Sequence, residues 1–308
     1  MNRNTRWIAL ERSPGIGSAS ILEIHETLSS LSLNIEDLFS LTESEIRSEF
    51  SFRETTIKGI LSAFKICDDI EDDCADMTEA GINPVFIFEN SYPSILKARL
   101  GSEAPAVLYC MGRMDILTGS DAGVLAHSGT SEKGSMILMK GAAELASHSI
   151  TVIGNMSKGA GTLLHSSCIE HGGNTAGLLP CGLFTFTMSA KLQTVYNPDR
   201  FLIISPFYLR EEFSPIRAVI RNKIICALSK ALFIVETPAK EEGGIFEAAK
   251  SAQKLHVPLF TAEYSEYTES SAGNPVLLTE YGAMPVRGRK DGNSILPNLD
   301  AFTAKIKF

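Results

Sequence analysis

Arg217 and Arg221 are four residues apart, with Asn222 and Lys223 beside the second of them. Ser214 and Pro215 precede this group and suit an N-cap and a first helical position. The stretch 214–229 therefore reads as a helix, feeding an apolar strand at 231–236. A helix N-terminus carrying two forked cations favours a phosphate. The same residues on a solvated basic face would bind nothing, and spacing alone favours that reading. Ile216, Ile220, Ile224 and Leu228 recur every four residues and are expected to form one apolar stripe. Ser157-Lys158-Gly159-Ala160-Gly161 offers a second set of phosphate donors: a hydroxyl, an ammonium and glycine N–H groups. Its alternative is a plain strand-to-helix turn.

Other reactive side chains point away from turnover chemistry. His127 and His165 are expected to be packing or loop histidines, and Glu236, at a strand end, to order a loop. The six cysteines (67, 74, 110, 168, 181 and 226) contain no Cys-x-x-Cys pair and read as reduced, buried cytosolic thiols. The histidines are equally scattered, so no metal site is expected, and no nucleophile stands with a base beside it, so no catalytic residue is expected. No Gly-x-Gly-x-x-Gly stands in the dinucleotide position and no P-loop is present, so no cofactor is expected.

The elements that must position these residues follow from composition and period. At 44% hydrophobic and 21% charged residues, the 308-residue chain has the make-up of a soluble globular protein. No apolar run is long enough to span a membrane and the start does not read as a signal peptide, which gives a cytoplasmic expectation. The net charge of −8 is uneven. Residues 1–90 hold 7 Lys and Arg against 17 Asp and Glu, a balance of −10, and the remainder carries +2. The C-terminal part can therefore carry a local basic patch.

Residues 1–80 are expected to form a small helical domain, with helices at about 18–31, 34–40, 42–50 and 53–67. Gly15-Ile16-Gly17 would suit a helix-hairpin-helix or SAM-like unit, but the acidity favours a tight turn in a helical bundle. Gly81-Ile-Asn-Pro84 is the expected boundary to a second domain, 81–308, which begins with a linker at 81–121. From 122 onward, apolar runs alternate with helical periods. This predicts an α/β fold, a Rossmann-like doubly wound, mostly parallel sheet. Its Gly-rich loops fall at strand carboxyl ends. Residues 265–274 are expected to be an exposed loop, 275–279 an edge strand, 288–292 a polar turn and 297–305 a final helix.

The run Arg221-Asn222-Lys223-Ile224-Ile225-x-Ala-Leu228-Ser229 resembles the Arg-Asn-Arg-Ile-Ile-x-x-Leu-Ser signature of the DNA-processing protein A (DprA/Smf) family. Tyr92-Pro93-x-x-Leu96, Pro105-Ala-Val-Leu108-Tyr109-x-x-Gly112, Gly173-Asn-Thr175 and Gly273-Asn274…Gly282-Ala283 are similar to other motifs of that family. Three departures stand out. The family's first loop carries an arginine where this chain reads His127-Ser128-Gly129-Thr130. An aspartate is replaced in Gly159-Ala160-Gly161, and Glu242 precedes Gly243-Gly244 where the family has serine.

The resemblance implies a single-stranded DNA-binding protein that protects strands, helps load the RecA recombinase, forms a homodimer and performs no turnover. It implies phosphate contacts from Ser128, Gly129, Ser157, Lys158, Gly159, Arg217, Arg221, Asn222 and Lys223. Gly182, Gly243 and Gly244 would then allow close approach of the nucleic acid. Phe207, Tyr208 and Phe213 are candidate stacking residues, or core. The alternative on the same scaffold is a nucleotide sensor or a phosphoribohydrolase-like enzyme, which Gly243-Gly244 with Glu247 faintly suggests.

Overall fold

The computed structural model describes residues 3–117, 119, 121–239, 244–291 and 294–307. The chain forms two compact units, Met1–Tyr109 and Cys110–Phe308.

The first unit begins with five helices: α1 (Arg3–Arg12), α2 (Ser18–Ser30), α3 (Ile35–Ser40), α4 (Glu43–Glu49) and α5 (Glu54–Glu79). Then come β1 (Ile82–Phe86), α6 (Ser94–Leu100) and β2 (Val107–Met111), which leads out of the unit. Asn34 with Asp37 and Thr42 with Glu45 form capping boxes that start α3 and α4. Helix α5 runs twelve residues beyond the expected end at 67. Ile57, Ile60, Ala63, Cys67, Ile70, Cys74 and Met77 are buried at spacings of three and four along it. The acidic run 68–73 therefore lies in the helix with its carboxylates outward, and does not end it. Gly15-Ile16-Gly17 is a tight turn docked on α5, where a Cβ on Gly59 would meet Ile16 Cγ1 at 2.5 Å. The unit ends later than Gly81 because β1 packs on α5. The Trp7 ring of α1 also lies 4.6 Å from that of Phe88.

The second unit carries a parallel sheet. Its elements are β3 (Ala122–Leu125), α7 (Glu132–Ser147), β4 (Val152–Asn155), α8 (Ala160–Glu170), β5 (Thr175–Leu178) and α9 (Ala190–Val195). They continue with β6 (Phe201–Ser205), α10 (Pro215–Leu228), β7 (Ala231–Ile234), α11 (Gly244–Lys254) and β8 (Leu259–Ala262). The unit closes with α12 (Asn274–Thr279), β9 (Met284–Val286), β10 (Gly288–Asp291), β11 (Ser294–Pro297) and α13 (Asp300–Lys307). Within this unit the strand order is β6-β5-β4-β3-β7-β8-β9, every pair parallel. The order reverses at β3/β7, as in a doubly wound sheet. Alternation assigns the two faces. Ala122, Val124, Ala231 and Phe233 join Leu138 and Leu145 of α7 and Phe302 of α13 in one core cluster. Gly123 faces the other layer, where a Cβ would sit 2.5 Å from Ser229 Oγ at the end of α10.

Three expectations in the tail are corrected. Residues 274–279 form helix α12, not an edge strand, because Pro275 stands in a first helical turn, where its missing N–H costs nothing. The segment 288–291 is a strand paired antiparallel with 294–297. The loop 265–274 is not wholly exposed: Ser271 and Asn274 are buried. Asn274 Nδ2 donates to Val235 O at 2.9 Å and Ala262 O at 2.8 Å, while its Oδ1 accepts from Thr237 N at 3.0 Å. This one amide ties the carboxyl ends of β7 and β8.

Candidate nucleic-acid interface

Ligands of doubly wound sheets favour the crevice where the strand order reverses. Here the chain fills that position itself. Glu236, 1% exposed just beyond β7, accepts from Ser131 N at 2.8 Å and Ser131 Oγ at 2.7 Å. Ser131 is the N-cap of α7 and its Oγ also accepts from Gly134 N at 3.0 Å. The carboxylate thus occupies the anion position at the start of α7. Burial, and then Glu236, push the Tyr264 phenol up. Glu236 has the loop-ordering place expected for it. His127 works in the same loop: its Nε2 bonds Ser270 O and its Nδ1 accepts from Gly129 N, both at 3.1 Å. Gly129 N–H is therefore committed within the chain. Ser128 and Gly129 are both exposed.

The start of α8 differs. Ser157 Oγ accepts from Gly161 N at 3.1 Å, which tightens the turn. Gly161 lies so close to β4 that a Cβ would meet Asn155 O at 2.2 Å. Gly159 has φ +86° and no side chain caps the helix. Among the described residues the N–H groups of Lys158, Gly159 and Ala160 have no hydrogen-bond partner. Lys158 is exposed and forms no ion pair among the described residues. A cavity of about 230 Å³ opens beside this turn, lined among others by Ser157, Lys158, Thr162, Cys181, Thr185 and Phe186. Its hydroxyls are a feature that sequence reasoning missed. The signal was present in the alternation Thr185-Phe186-Thr187-Met188-Ser189.

Arg221 lies beneath this end of the sheet. Its side chain is buried, 6% exposed, and Nη1 makes a long 3.5 Å bond to Leu178 O at the end of β5. Among the described residues its Nε has no partner. Burial pulls its guanidinium down to about 10, so it remains charged at neutral pH. Asn222 is also buried, donating to Gly244 O at 2.8 Å across to α11, with Oδ1 unpaired among the described residues. A Cβ on Gly244 would lie 3.0 Å from that amide, so this glycine accommodates Asn222.

The remaining expected residues are dispersed. Arg217 is half-buried, pairs with Glu211, donates to Glu212 O at 2.6 Å and lies 5.7 Å over the Phe207 ring. Lys223 is turned about 200° from Arg221 on the helix. Burial, and then the neighbouring Lys254, lower its ammonium. The structure thus brings Lys158 and Arg221 to the carboxyl ends of β4 and β5, and leaves Lys223 on another face. Gly182 is needed by the chain itself, because a Cβ there would lie 2.1 Å from both Tyr208 O and Leu209 O. Gly243 lies outside the described residues. The apolar stripe of α10 also divides. Ile224 and Leu228 are buried, whereas Ile216 and Ile220 are 73% and 40% exposed. A four-residue repeat drifts about 40° per step on a 3.6-residue helix, so its first members leave the core. Phe213 is exposed as well.

His165 is fully buried, stacked 5.1 Å from Phe201, with Nδ1 2.7 Å from Thr175 Oγ1. The Thr175 hydroxyl donates to Val152 O, so His165 Nδ1–H is the donor of that pair. All six cysteines are free and buried. Among the described residues no cluster of metal-ligating side chains occurs, and no helix is long and apolar enough to cross a membrane.

A family model described as DNA recombination-mediator protein A matches residues 83–297. Protein Smf of Synechocystis is 25% identical over 236 residues, covering 70% of this chain and 58% of that protein. DNA processing protein DprA of Streptococcus pneumoniae is 25% identical over 189 residues, covering 61% of this chain and 66% of that protein. The chain thus spans less than two thirds of the length of the first relative. Among solved structures, that of the Streptococcus pneumoniae DprA matches with TM-score 0.70 at 21% identity, covering 92% of this chain and 94% of that one. The Helicobacter pylori DNA processing protein A, described for its single-stranded DNA binding mode, matches with TM-score 0.54 at 22% identity, covering 66% and 90%. These two structures share the α/β fold described above.

Proposed function

The chain belongs to the DNA recombination-mediator protein A family, and from this we propose that it binds single-stranded DNA through the phosphate backbone in a DNA-processing role. The observation that carries the reading is the start of α8. Three N–H groups without partners among the described residues, the exposed Lys158 and a hydroxyl-lined cavity stand together at strand carboxyl ends. Arg221 supports the reading from below, as a buried cation that no carboxylate neutralises among the described residues. Ser157, Lys158 and Gly159 make the primary contacts, and Arg221 adds charge behind them. Ser128 and Gly129 border the site, since Ser128 O lies 3.7 Å from a Cβ placed on Gly159. Arg217, held by Glu211, guides the approaching strand. The exposed Phe213 is the stacking candidate.

Such contacts read little sequence, so binding is non-specific and weakens steeply with salt. His127 and His165 are both committed to structural hydrogen bonds, which favours a binding protein over a catalyst. Assistance of RecA loading and homodimer formation complete the proposal. For the dimer, the exposed Met136 and Ile295 flank a cleft of about 600 Å³ between α7 and the β10–β11 hairpin.

The test is fluorescence anisotropy with labelled oligo-dT at low and near-physiological salt. Binding that falls steeply with salt and weakens in Lys158→Ala is the expected result. No binding at low salt removes the reading and moves the cavity to nucleotide ligands.

A further inference from the structure

Among the described residues the exposed large apolar side chains, Leu31 apart, fall in two places, both in the second unit. Phe213, Ile216 and Ile220 form a ridge at the start of α10. Ile216 and Ile220 are four residues apart and so share one side of the helix. Met136 of α7 and Ile295 of β11 form the lips of the cleft of about 600 Å³ between that helix and the β10–β11 hairpin. Ile137, Val286, Leu296 and Pro297 line the cleft behind them. Exposed apolar patches rimmed by polar groups mark docking surfaces. Here one patch is a ridge and the other a cleft.

The charges around the two patches are complementary. Of the cations lining the cleft, Arg287 pairs with Glu263, and Arg289 with Glu144 and Asp300. Lys133, Lys140 and Lys290 have no carboxylate within ion-pair distance among the described residues. The Lys133 ammonium lies 4.6 Å from the centre of the Tyr264 ring and Lys140 Nζ donates to Ile295 O at 3.2 Å, which holds both at the cleft wall. Glu132 is the one other carboxylate of the lining. Beside the ridge, Arg217 is taken by Glu211 and Arg210 lies 4.9 Å over the Phe184 ring. The exposed Glu212 carboxylate, next to Phe213, meets no cation among the described residues.

Ridge and cleft stand on opposite faces of the parallel sheet. Helix α7 packs on the face of Val124 and Phe233, whereas α10 packs on the face of Gly123. One molecule cannot bring its own ridge to its own cleft. A two-fold pair cannot close both contacts at once either, because each of two facing molecules presents one face. We propose that the α10 ridge of one copy seats in the α7–hairpin cleft of the next, a head-to-tail contact in which Ile216 and Ile220 meet the apolar lining and Glu212 meets the lysines. This contact rests on the proposed self-association of the chain and gives it a face and a symmetry. Each added copy leaves a free ridge at one end and a free cleft at the other, so growth continues unless a ring closes. On a bound strand, neighbouring copies would then bind cooperatively. That consequence also needs the DNA-binding reading; the contact does not.

Sedimentation velocity of the full chain over a concentration series, without DNA, is the test. The wild-type chain is expected to grow past the dimer. Ile216→Glu on the ridge and Ile295→Glu on the cleft lip both fall at exposed positions, so folding is expected to survive, as circular dichroism checks. Each is expected to weaken association by about tenfold or more. An equimolar mixture of the two variants is expected to form a pair and stop there, because one intact ridge still finds one intact cleft. Glu212→Lys is expected to weaken growth by up to about fivefold, and unchanged growth removes the charge pairing. A dimer that is the limit of growth and that neither variant disturbs overturns the head-to-tail contact and leaves self-association standing. Variants that fail alone and also fail to pair when mixed overturn it too, since a two-fold interface behaves in that way. A chain that stays monomeric at every concentration removes both.

Discussion

Ser131 and Glu236, 105 residues apart, are joined by two hydrogen bonds of 2.8 and 2.7 Å between the start of α7 and the end of β7. The bond partners belong to the two halves of the sheet, at the point where strand order reverses. An internal carboxylate therefore takes the anion position that a ligand would otherwise use. The hydrogen-bond donors of Ser131 at the start of α7 thereby have their acceptor within the chain.

Glu236→Gln should keep the shape and lose an acceptor for Ser131. The expected cost is about 1–3 kcal/mol, because a buried donor is left unpaired. Urea unfolding checks this as a lower midpoint at unchanged slope. An unchanged midpoint would show that the α7 cap does not depend on this carboxylate.

Arg221→Met should separate stability from binding. Removing a buried cation that no carboxylate meets among the described residues, in favour of an apolar side chain, is expected to leave the urea midpoint unchanged or raised. The same variant should lose about tenfold or more in oligo-dT affinity, as expected for a lost charge-assisted contact. A lower midpoint with intact binding would make Arg221 a structural residue.

Lys158→Ala should act through salt. Loss of one phosphate contact reduces the slope of log affinity against log salt by about 0.7 for a single strand. Lys223→Ala, on another face of α10, should leave that slope where it is. Titrations at four salt concentrations distinguish the two.

Glycines 182 and 159 should respond differently to alanine. The Cβ of Gly182→Ala would press on two carbonyl oxygens at 2.1 Å, and backbone cannot rotate aside. The expected loss is about 3 kcal/mol or more. Gly159→Ala meets only Ser128 O at 3.7 Å, so its cost is the backbone conformation, φ +86° with ψ −100°, about 1–3 kcal/mol. Thermal melts of the two variants check the ranking.

Acid should find His165. Burial holds its imidazole down at about 4, against 6.5 in the unfolded chain. The unfolded chain thus takes up the proton first. Stability from this residue is full above pH 6.5 and drains as pH falls to about 4. The gap corresponds to roughly 3 kcal/mol. His165→Gln should flatten the stability–pH curve across that window, measured by urea titrations at half-unit steps.

Much of the sheet was legible because its strands are short apolar runs such as Phe201–Ser205 and Ala231–Ile234, flanked by helical periods. The length of α5 was obscured by Asp68–Asp73, since charge was read before the spacing of Ile70, Cys74 and Met77. Pro275 was ambiguous because proline suits both an edge strand and a first helical turn. At the start of α8, residue type was a guide to exposure for Lys158 and Gly159, whose local turn holds them at the surface. It was a poor guide for α10. Spacing places Arg217 and Arg221 on one side of a helix, but only tertiary packing decides that Arg221 is covered and that Glu211 captures Arg217. Gly182 shows the same limit, because its crowding comes from Tyr208 and Leu209, far along the chain.

Strand β3 sits mid-sheet between β4 and β7, yet Ala122 and its β7 partner Ala231 are 109 residues apart. On a ribosome, β3 to β6 can assemble while β7 is still unmade. At roughly 5–20 residues per second, that leaves about 5–20 s in which β3 is an uncovered parallel edge. Glu236 follows β7 by two residues, so the stretch that pairs this edge also delivers the carboxylate that caps α7. The nascent chain is therefore most exposed to strand addition by a neighbour just before residue 231 emerges. A chaperone or a slow codon would matter most at that point of synthesis.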